Sequence, residues 1–161
     1  MFENKLANLH KVHFIGIGGA GMSALAHVLL KRNYEVRGSD LNSNRISARL
    51  AEEGATVYMG HEASQLEDAD CVVVSTAIHA DNPELVEAQK RGLPVLHRSD
   101  VLAAILNAGE GIAVAGAHGK TSTTSMIGCI ATDANIDPTV IIGGEVDALG
   151  GNARNGAGPH V

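Results

Sequence analysis

Two glycine-rich segments carry the chain's clearest chemistry. Gly16-Ile17-Gly18-Gly19-Ala20-Gly21 follows the apolar run Val12-His13-Phe14-Ile15, and Gly116-Ala117-His118-Gly119-Lys120-Thr121 follows Ile112-Ala113-Val114-Ala115. In each, a strand-like run feeds a glycine turn and a helix-like stretch follows. That arrangement aims unpaired backbone N–H groups and the positive end of a helix dipole at one point, which suits an anion. Only the second segment continues with Lys and Thr, the pair that neutralises a terminal phosphate and ligates magnesium. Two different phosphate sites in one chain suggest one nucleotide as energy source and another as handle.

The first segment satisfies the dinucleotide-binding spacing, with Asp40 lying 19 residues after Gly21. Gly16 allows the tight turn, Gly18 lets backbone approach a pyrophosphate, and Gly21 lets the helix pack close to the sheet. Asp40 would accept hydrogen bonds from a ribose hydroxyl or a base edge. A pyrophosphate of NAD and one of a nucleotide-sugar fit this pattern equally, and a bare strand-to-helix turn is the bland alternative. The second segment has Val114 where the standard phosphate loop has its first glycine. Its chemistry survives: Lys120 would neutralise β/γ-phosphate charge, and the Thr121 hydroxyl would ligate magnesium. Ser122, Thr123 and Thr124 are alternatively helix caps. His118 either touches a phosphate or structures its loop.

The elements that must hold these loops alternate between short β-like runs and helical patterns, as in a parallel sheet flanked by helices. Strands are expected at Val12–Ile17, Tyr34–Gly38, Ala55–Tyr58, Cys71–Ser75 and Leu93–Leu96. Helices are expected at Met22–Lys31, Asn44–Glu53, Pro83–Arg91 and Asp100–Leu106. Ser75-Thr76 ends a buried strand, at the edge where such sheets bind ligands. Arg98 follows another strand end, where it pairs with a phosphate or stays solvated. Asn82-Pro83-Glu84 reads most simply as a helix start, and His10, His13, His27, His61 and His160 show no metal-ligand spacing and are taken as incidental. Asn107-Ala108-Gly109-Glu110-Gly111 breaks the pattern and is the best domain boundary. A second strand–loop–helix unit is expected from Ile112 to about Asp133, followed by a strand at Pro138–Ile142. Residues 108–161 are too few to close a nucleotide-binding domain, so they read as the opening of a larger one.

Composition narrows the classes. The chain has 161 residues, 45% of them hydrophobic, and a net charge of −6. No Lys/Arg cluster exceeds two in a row, so a nucleic-acid footprint is not supported, and aromatics at 2% leave few stacking platforms. Cys71 and Cys129 lie in apolar runs and read as core residues in a reducing compartment. The stretch from Met1 to Lys11 has no apolar run of signal-peptide length and no run reaches the length of a membrane span, so a soluble cytoplasmic protein is expected.

Together the two loops resemble the Mur ligases of bacterial cell-wall synthesis. The resemblance rests on Gly16-Ile17-Gly18-Gly19-Ala20-Gly21-Met22-Ser23, Gly38-Ser39-Asp40, Ser75-Thr76-Ala77-Ile78, Asp81-Asn82-Pro83-Glu84, Gly116-Ala117-His118-Gly119-Lys120-Thr121 and Ile142-Gly143-Gly144, spread over the whole chain. It implies an α/β fold with a Rossmann-like parallel sheet over residues 1–107, which would bind UDP-N-acetylmuramate. Residues 108–161 would then open an ATP-binding domain with a phosphate loop. Gly18, Gly19, Ala20, Gly21, Met22, Ser23, Asp40, Ser75, Thr76, Ala77 and Arg98 are the implied UDP-sugar contacts. Gly116, Ala117, His118, Gly119, Lys120, Thr121 and Ser122 are the implied ATP contacts. Lys120 and Thr121 would serve catalysis, and Thr121 would hold Mg2+. The family usually has Thr where Ala117 and Ser122 stand. The implied reaction phosphorylates the lactyl carboxylate of UDP-N-acetylmuramate with ATP. The amine of L-alanine then attacks the acyl phosphate, releasing ADP and phosphate. A related activity recycles a murein tripeptide onto the same nucleotide-sugar. An NAD(P)-binding module is the reading from another class. No nucleic-acid or membrane partner is expected, and an incompletely covered second unit would favour self-association.

Overall fold

The computed structural model describes Leu6 and residues 8–161. The expected lack of a signal-like stretch over Met1–Lys11 falls largely on residues outside the described ones. Five strands form one parallel sheet: β1 (Lys11–Ile15), β2 (Glu35–Asp40), β3 (Thr56–Met59), β4 (Cys71–Val74) and β5 (Val95–His97), in the order β3-β2-β1-β4-β5. Helices α1 (Ala20–Lys31), α2 (Arg45–Glu52), α3 (Pro83–Arg91) and α4 (Arg98–Leu106) flank it, and a short 3-10 turn at Ala63–Leu66 precedes β4. The Rossmann-like sheet is as expected. Its strand order reverses at β1 and β4, where the crevice outside the strand ends receives ligands in such sheets.

Alternation along the central strands builds two apolar layers. Val12 and Phe14 of β1, with Cys71 and Val73 of β4, face α1, α2 and α4 through Leu25, Val28, Leu29, Leu50, Val101 and Ile105. Ile15 and Val72 face the other way, against Leu66, Leu85 and Ala88. Local signals end the helices as expected. The Asn82 side chain accepts the amides of Glu84 and Leu85, Pro83 occupies the first turn of α3, and Gly92 closes the helix at φ +69°.

The second unit differs from its expectation. Ile112–Ala115 forms no strand. An apolar run becomes a strand only beside a neighbour, and here the neighbouring segment reaches just its start. The Ile112 amide donates to the Val161 carbonyl at 2.7 Å, and Glu110 and His160 make a single bridge. The helix α5 (Lys120–Asp133) does form. The strand expected at Pro138–Ile142 is shifted to β6 (Val140–Val146), which pairs antiparallel with the unanticipated β7 (Gly151–Arg154). An apolar groove of about 390 Å3 stays open between α4, the 112–114 segment, α5 and β6, and Ile112 is 57% exposed.

The hairpin packs on α1 of the first unit. Ala153 is buried in the α1 layer, with Ile141 against it. The Asn152 amide donates to the Ala20 carbonyl at 2.7 Å and to Ser23 Oγ at 2.8 Å. Arg32 Nε donates to Asn155 Oδ1 at 3.2 Å, and the Arg49 guanidinium to the Gly150 carbonyl. Asn152→Ala removes two hydrogen bonds worth about 1 kcal/mol each. Amide exchange in β6 and β7 should then accelerate by about thirtyfold while β1 and β4 keep their protection. Unchanged exchange in the hairpin would show that Asn152 does not hold it.

Candidate functional site

Gly16 turns the chain out of β1 at φ +83°, and the amides of Gly16 and Ile17 donate to the Ser39 carbonyl at 2.8 and 3.0 Å. The Gly18 amide donates to Asp40 Oδ2 at 2.9 Å, and Asn44 Nδ2 donates back to the Gly18 carbonyl at 3.1 Å. A Cβ on Gly18 would lie 2.8 Å from Asn44 Nδ2 and 2.9 Å from Asp40 Oδ2. Glycine is therefore required here by the closeness of Asp40 and Asn44. Asp40 pins the loop and also accepts the Asn42 amide at 3.2 Å, so it meets a ribose only through its remaining lone pairs.

The amides of Ala20 and Gly21 make no hydrogen bond among the described residues, whereas those of Met22 and Ser23 bond to the Gly19 carbonyl. These free donors open α1, whose N-cap Gly19 has no side-chain cap. Gly21 was expected to ease helix–sheet packing; instead it clears Arg98, whose Nη1 would lie 2.7 Å from an added Cβ. A guanidinium thus stands at a helix N-terminus beside two free amides, a receptor for an anion. Met22 and Ser23 are buried, so any ligand contact from them is through backbone. Ser75 follows the end of β4, its Oγ accepts the Ala77 amide at 3.4 Å, and Ile78 Cδ1 lies 3.4 Å from the Cβ position of Gly16. Ser75, Thr76 and Ala77 are therefore placed across the strand-order reversal from the glycine turn. A smaller groove of about 190 Å3 lies farther along the edge, lined by Asp40, Asn42, Ser47, Val57, Tyr58 and Met59.

In the second loop Gly116 has φ +156° and Gly119, at φ +78°, is the N-cap of α5. No side chain caps this helix, so the alternative role of Ser122, Thr123 and Thr124 as caps is not observed. The Lys120 ammonium donates to the carbonyls of Gly116 and Ala117, the latter at 3.2 Å. The amides of Lys120, Thr121 and Ser122 bond to no protein acceptor among the described residues. His118 and Thr121 are exposed. A Cβ on Gly144 of β6 would come 3.8 Å from Thr121 Cγ2, so the hairpin borders this loop too. No group of three or more His, Cys, Asp or Glu among the described residues is placed to hold a metal. Phosphate-loop magnesium is held by a hydroxyl and phosphate oxygens with waters, which Thr121 suits.

Beside the first loop lies a polar cluster that the sequence reading missed. Glu84, at the start of α3, and His13, in the middle of β1, are both fully buried. His13 Nε2 lies 2.8 Å from Glu84 Oε1. Glu84 Oε2 accepts Ser39 Oγ at 2.6 Å and lies 2.8 Å from His61 Nδ1. With its amide nitrogen turned inward, Gln65 donates to Glu84 Oε1 at 3.0 Å and to the Gly60 carbonyl at 3.2 Å. Burial alone would raise the Glu84 carboxyl; the donors from His13, Ser39 and His61 outweigh it and hold the group below its ordinary value. The missed signal is His13 itself: a polar residue inside a strand apolar on both faces requires a buried partner.

This sheet, with a glycine turn and Arg98 at its strand-order reversal and a lysine-bearing glycine loop after it, defines an α/β protein of doubly wound type. The chain belongs to the Mur ligase family: the model of the Mur ligase family, catalytic domain, matches residues 11–110. The UDP-N-acetylmuramate–L-alanine ligase of Pelotomaculum thermopropionicum is 54% identical over 150 residues, covering 93% of this chain and 32% of that protein. The solved UDP-N-acetylmuramate–alanine ligase of Thermotoga maritima superposes with a TM-score of 0.89 at 36% identity, covering 94% of this chain and 36% of that one. The UDP-N-acetylmuramate:L-alanyl-γ-D-glutamyl-meso-diaminopimelate ligase from Neisseria meningitidis superposes with a TM-score of 0.85 at 31% identity, covering 94% and 51%. The chain spans about a third of the length of the curated relatives it matches. Among the described residues, no helix is long and apolar enough to cross a membrane.

Proposed function

We propose that this chain supplies the nucleotide-sugar site and the ATP phosphate loop of a ligase that joins L-alanine to the lactyl carboxylate of UDP-N-acetylmuramate. The observation that carries the reading is the pair of uncapped helix N-termini, each with free amides and a cation, Arg98 at one and Lys120 at the other. Residues 1–107 form the nucleotide-sugar unit. The amides of Ala20 and Gly21 with Arg98 receive the pyrophosphate, and Ser75, Thr76 and Ala77 border the sugar side. Gly18, Gly19 and Asp40 shape the turn, while Met22 and Ser23 act through backbone. Residues 108–161 contribute Gly116 to Ser122 as the phosphate loop.

A carboxylate is a poor electrophile, and its phosphorylation supplies a leaving group. Two anions must meet for that step, so positive charge has to be in place beforehand. Lys120 and the amides of α5 supply it around the triphosphate, and bound Mg2+, held in part by Thr121, adds Lewis-acid charge neutralisation. Binding energy at the pyrophosphate, remote from the reacting carbon, positions the carboxylate. A dehydrogenase has no use for Gly119-Lys120-Thr121, which places the NAD(P) reading second. The amino-acid choice separates the two ligase readings. In the longer protein, phosphate release from ATP should depend on UDP-N-acetylmuramate together with L-alanine. Release with L-alanyl-γ-D-glutamyl-meso-diaminopimelate in place of L-alanine would establish the recycling activity instead. The 161-residue chain alone should release no phosphate.

A further inference from the structure

The Glu84 cluster is a costly feature to bury, and nothing in the proposed chemistry uses it. Glu84 is ionised, since its four donor partners fill the acceptor sites of a carboxylate and hold it below its ordinary value. A carboxylate only accepts, so His61 must carry its proton on Nδ1, shared with Ser39 Oγ at 2.9 Å. Its Nε2 has no partner among the described residues, and the ring is 13% exposed. His13 likewise donates through Nε2, leaving Nδ1 as a bare buried acceptor.

His61 sits at the ligand edge of the sheet. It lies two residues after the end of β3, the Gly60 amide donates to the Asp40 carbonyl at 2.8 Å, and the Ser39 carbonyl takes the amides of Gly16 and Ile17. The imidazole is therefore one residue removed from the first glycine loop. We propose that Glu84, braced by His13 and Ser39, is a positioning residue. It fixes the Nδ1–H tautomer of His61 and so presents Nε2 as an acceptor to an N–H or O–H of the nucleotide held by that loop. The proposal rests on the nucleotide-sugar reading of the first loop.

The arrangement is a carboxylate–imidazole pair whose outer nitrogen is unpartnered among the described residues. Tyr58 from β3 stacks its ring on His13 at 6.4 Å. Ser39 and Gln65 add uncharged donors.

The test compares UDP binding by calorimetry in the parent and in His61→Asn, whose amide keeps a donor near Nδ1 and removes Nε2. At pH 8 the parent should bind about tenfold more tightly, the loss of one hydrogen bond. N3-methyl-UDP should abolish the gap if the donor is the base N–H, and 2′,3′-dideoxy-UDP if it is a ribose hydroxyl. Long-range 1H–15N imidazole spectra of the parent should place the proton on Nδ1, and Glu84→Gln should release that preference. Equal affinities at pH 8, a gap retained by both analogues, or a proton on Nε2 alone would overturn the proposal. If UDP binds neither protein, the nucleotide reading of the loop falls and takes the ligand contact with it. The imidazole spectrum of the parent still decides the positioning role.

Discussion

Glu84→Ala should destabilise the first unit by about 3–5 kcal/mol at pH 7, the cost of removing one member of a buried charged network. The loss arises from the partners left behind. His13 Nε2 would become an unsatisfied buried donor between Val12 and Phe14, and Ser39 and His61 would lose a shared acceptor. The pH dependence follows from the direction of the shift. The folded carboxyl titrates below its ordinary 4.5, so as pH falls the unfolded chain takes up the proton first. The Glu84 contribution is thus complete above that ordinary value and is lost as pH falls through the depressed folded one. Thermal unfolding followed by circular dichroism should show a wide gap between parent and variant at pH 7 that narrows below about pH 4. A variant within about 0.5 kcal/mol of the parent at pH 7 would mean that the cluster carries no stability.

Gly18→Val should weaken nucleotide binding at the first loop by about a hundredfold while the sheet stays folded. The new Cβ falls inside the contact distances of Asp40 and Asn44. Relief requires breaking the Gly18–Asp40 hydrogen bond and displacing Asn44, whose side chain caps α2. Overpacking of this kind costs about 1–3 kcal/mol, and here it is taken from the loop that must present the amides of Ala20 and Gly21. Binding as tight as the parent's, in a variant with parental circular dichroism, would place the site elsewhere.

The glycine loops were legible because their signal is local. Spacing, the preceding apolar run and the following helix all lie within a few residues; α5 starts at Lys120 as that signal puts it, and α1 starts at Ala20, two residues before the expected Met22. Arg98 was readable as a residue after a strand end, but its partner was not. Gly21 looked like a packing glycine, and only the fold brings α4 over the N-terminus of α1. Glu84 was hidden for the opposite reason. Asn82-Pro83-Glu84 is fully explained as a helix start, which it is, and its partners His13, Ser39 and His61 come from three other parts of the chain. Ile112–Ala115 misled because apolarity and length specify a strand only when a neighbour can pair along it. The hairpin of β6 and β7 was obscured by glycines that read as loop, at Gly143-Gly144 and Gly150-Gly151.

The most direct test of the account is calorimetric titration of the 161-residue chain with UDP-N-acetylmuramate and, in parallel, with NADH. Saturable binding of the nucleotide-sugar, abolished by Gly18→Val, is expected, with no appreciable binding of NADH. Saturable NADH binding that NAD displaces, with no heat from UDP-N-acetylmuramate, would contradict it.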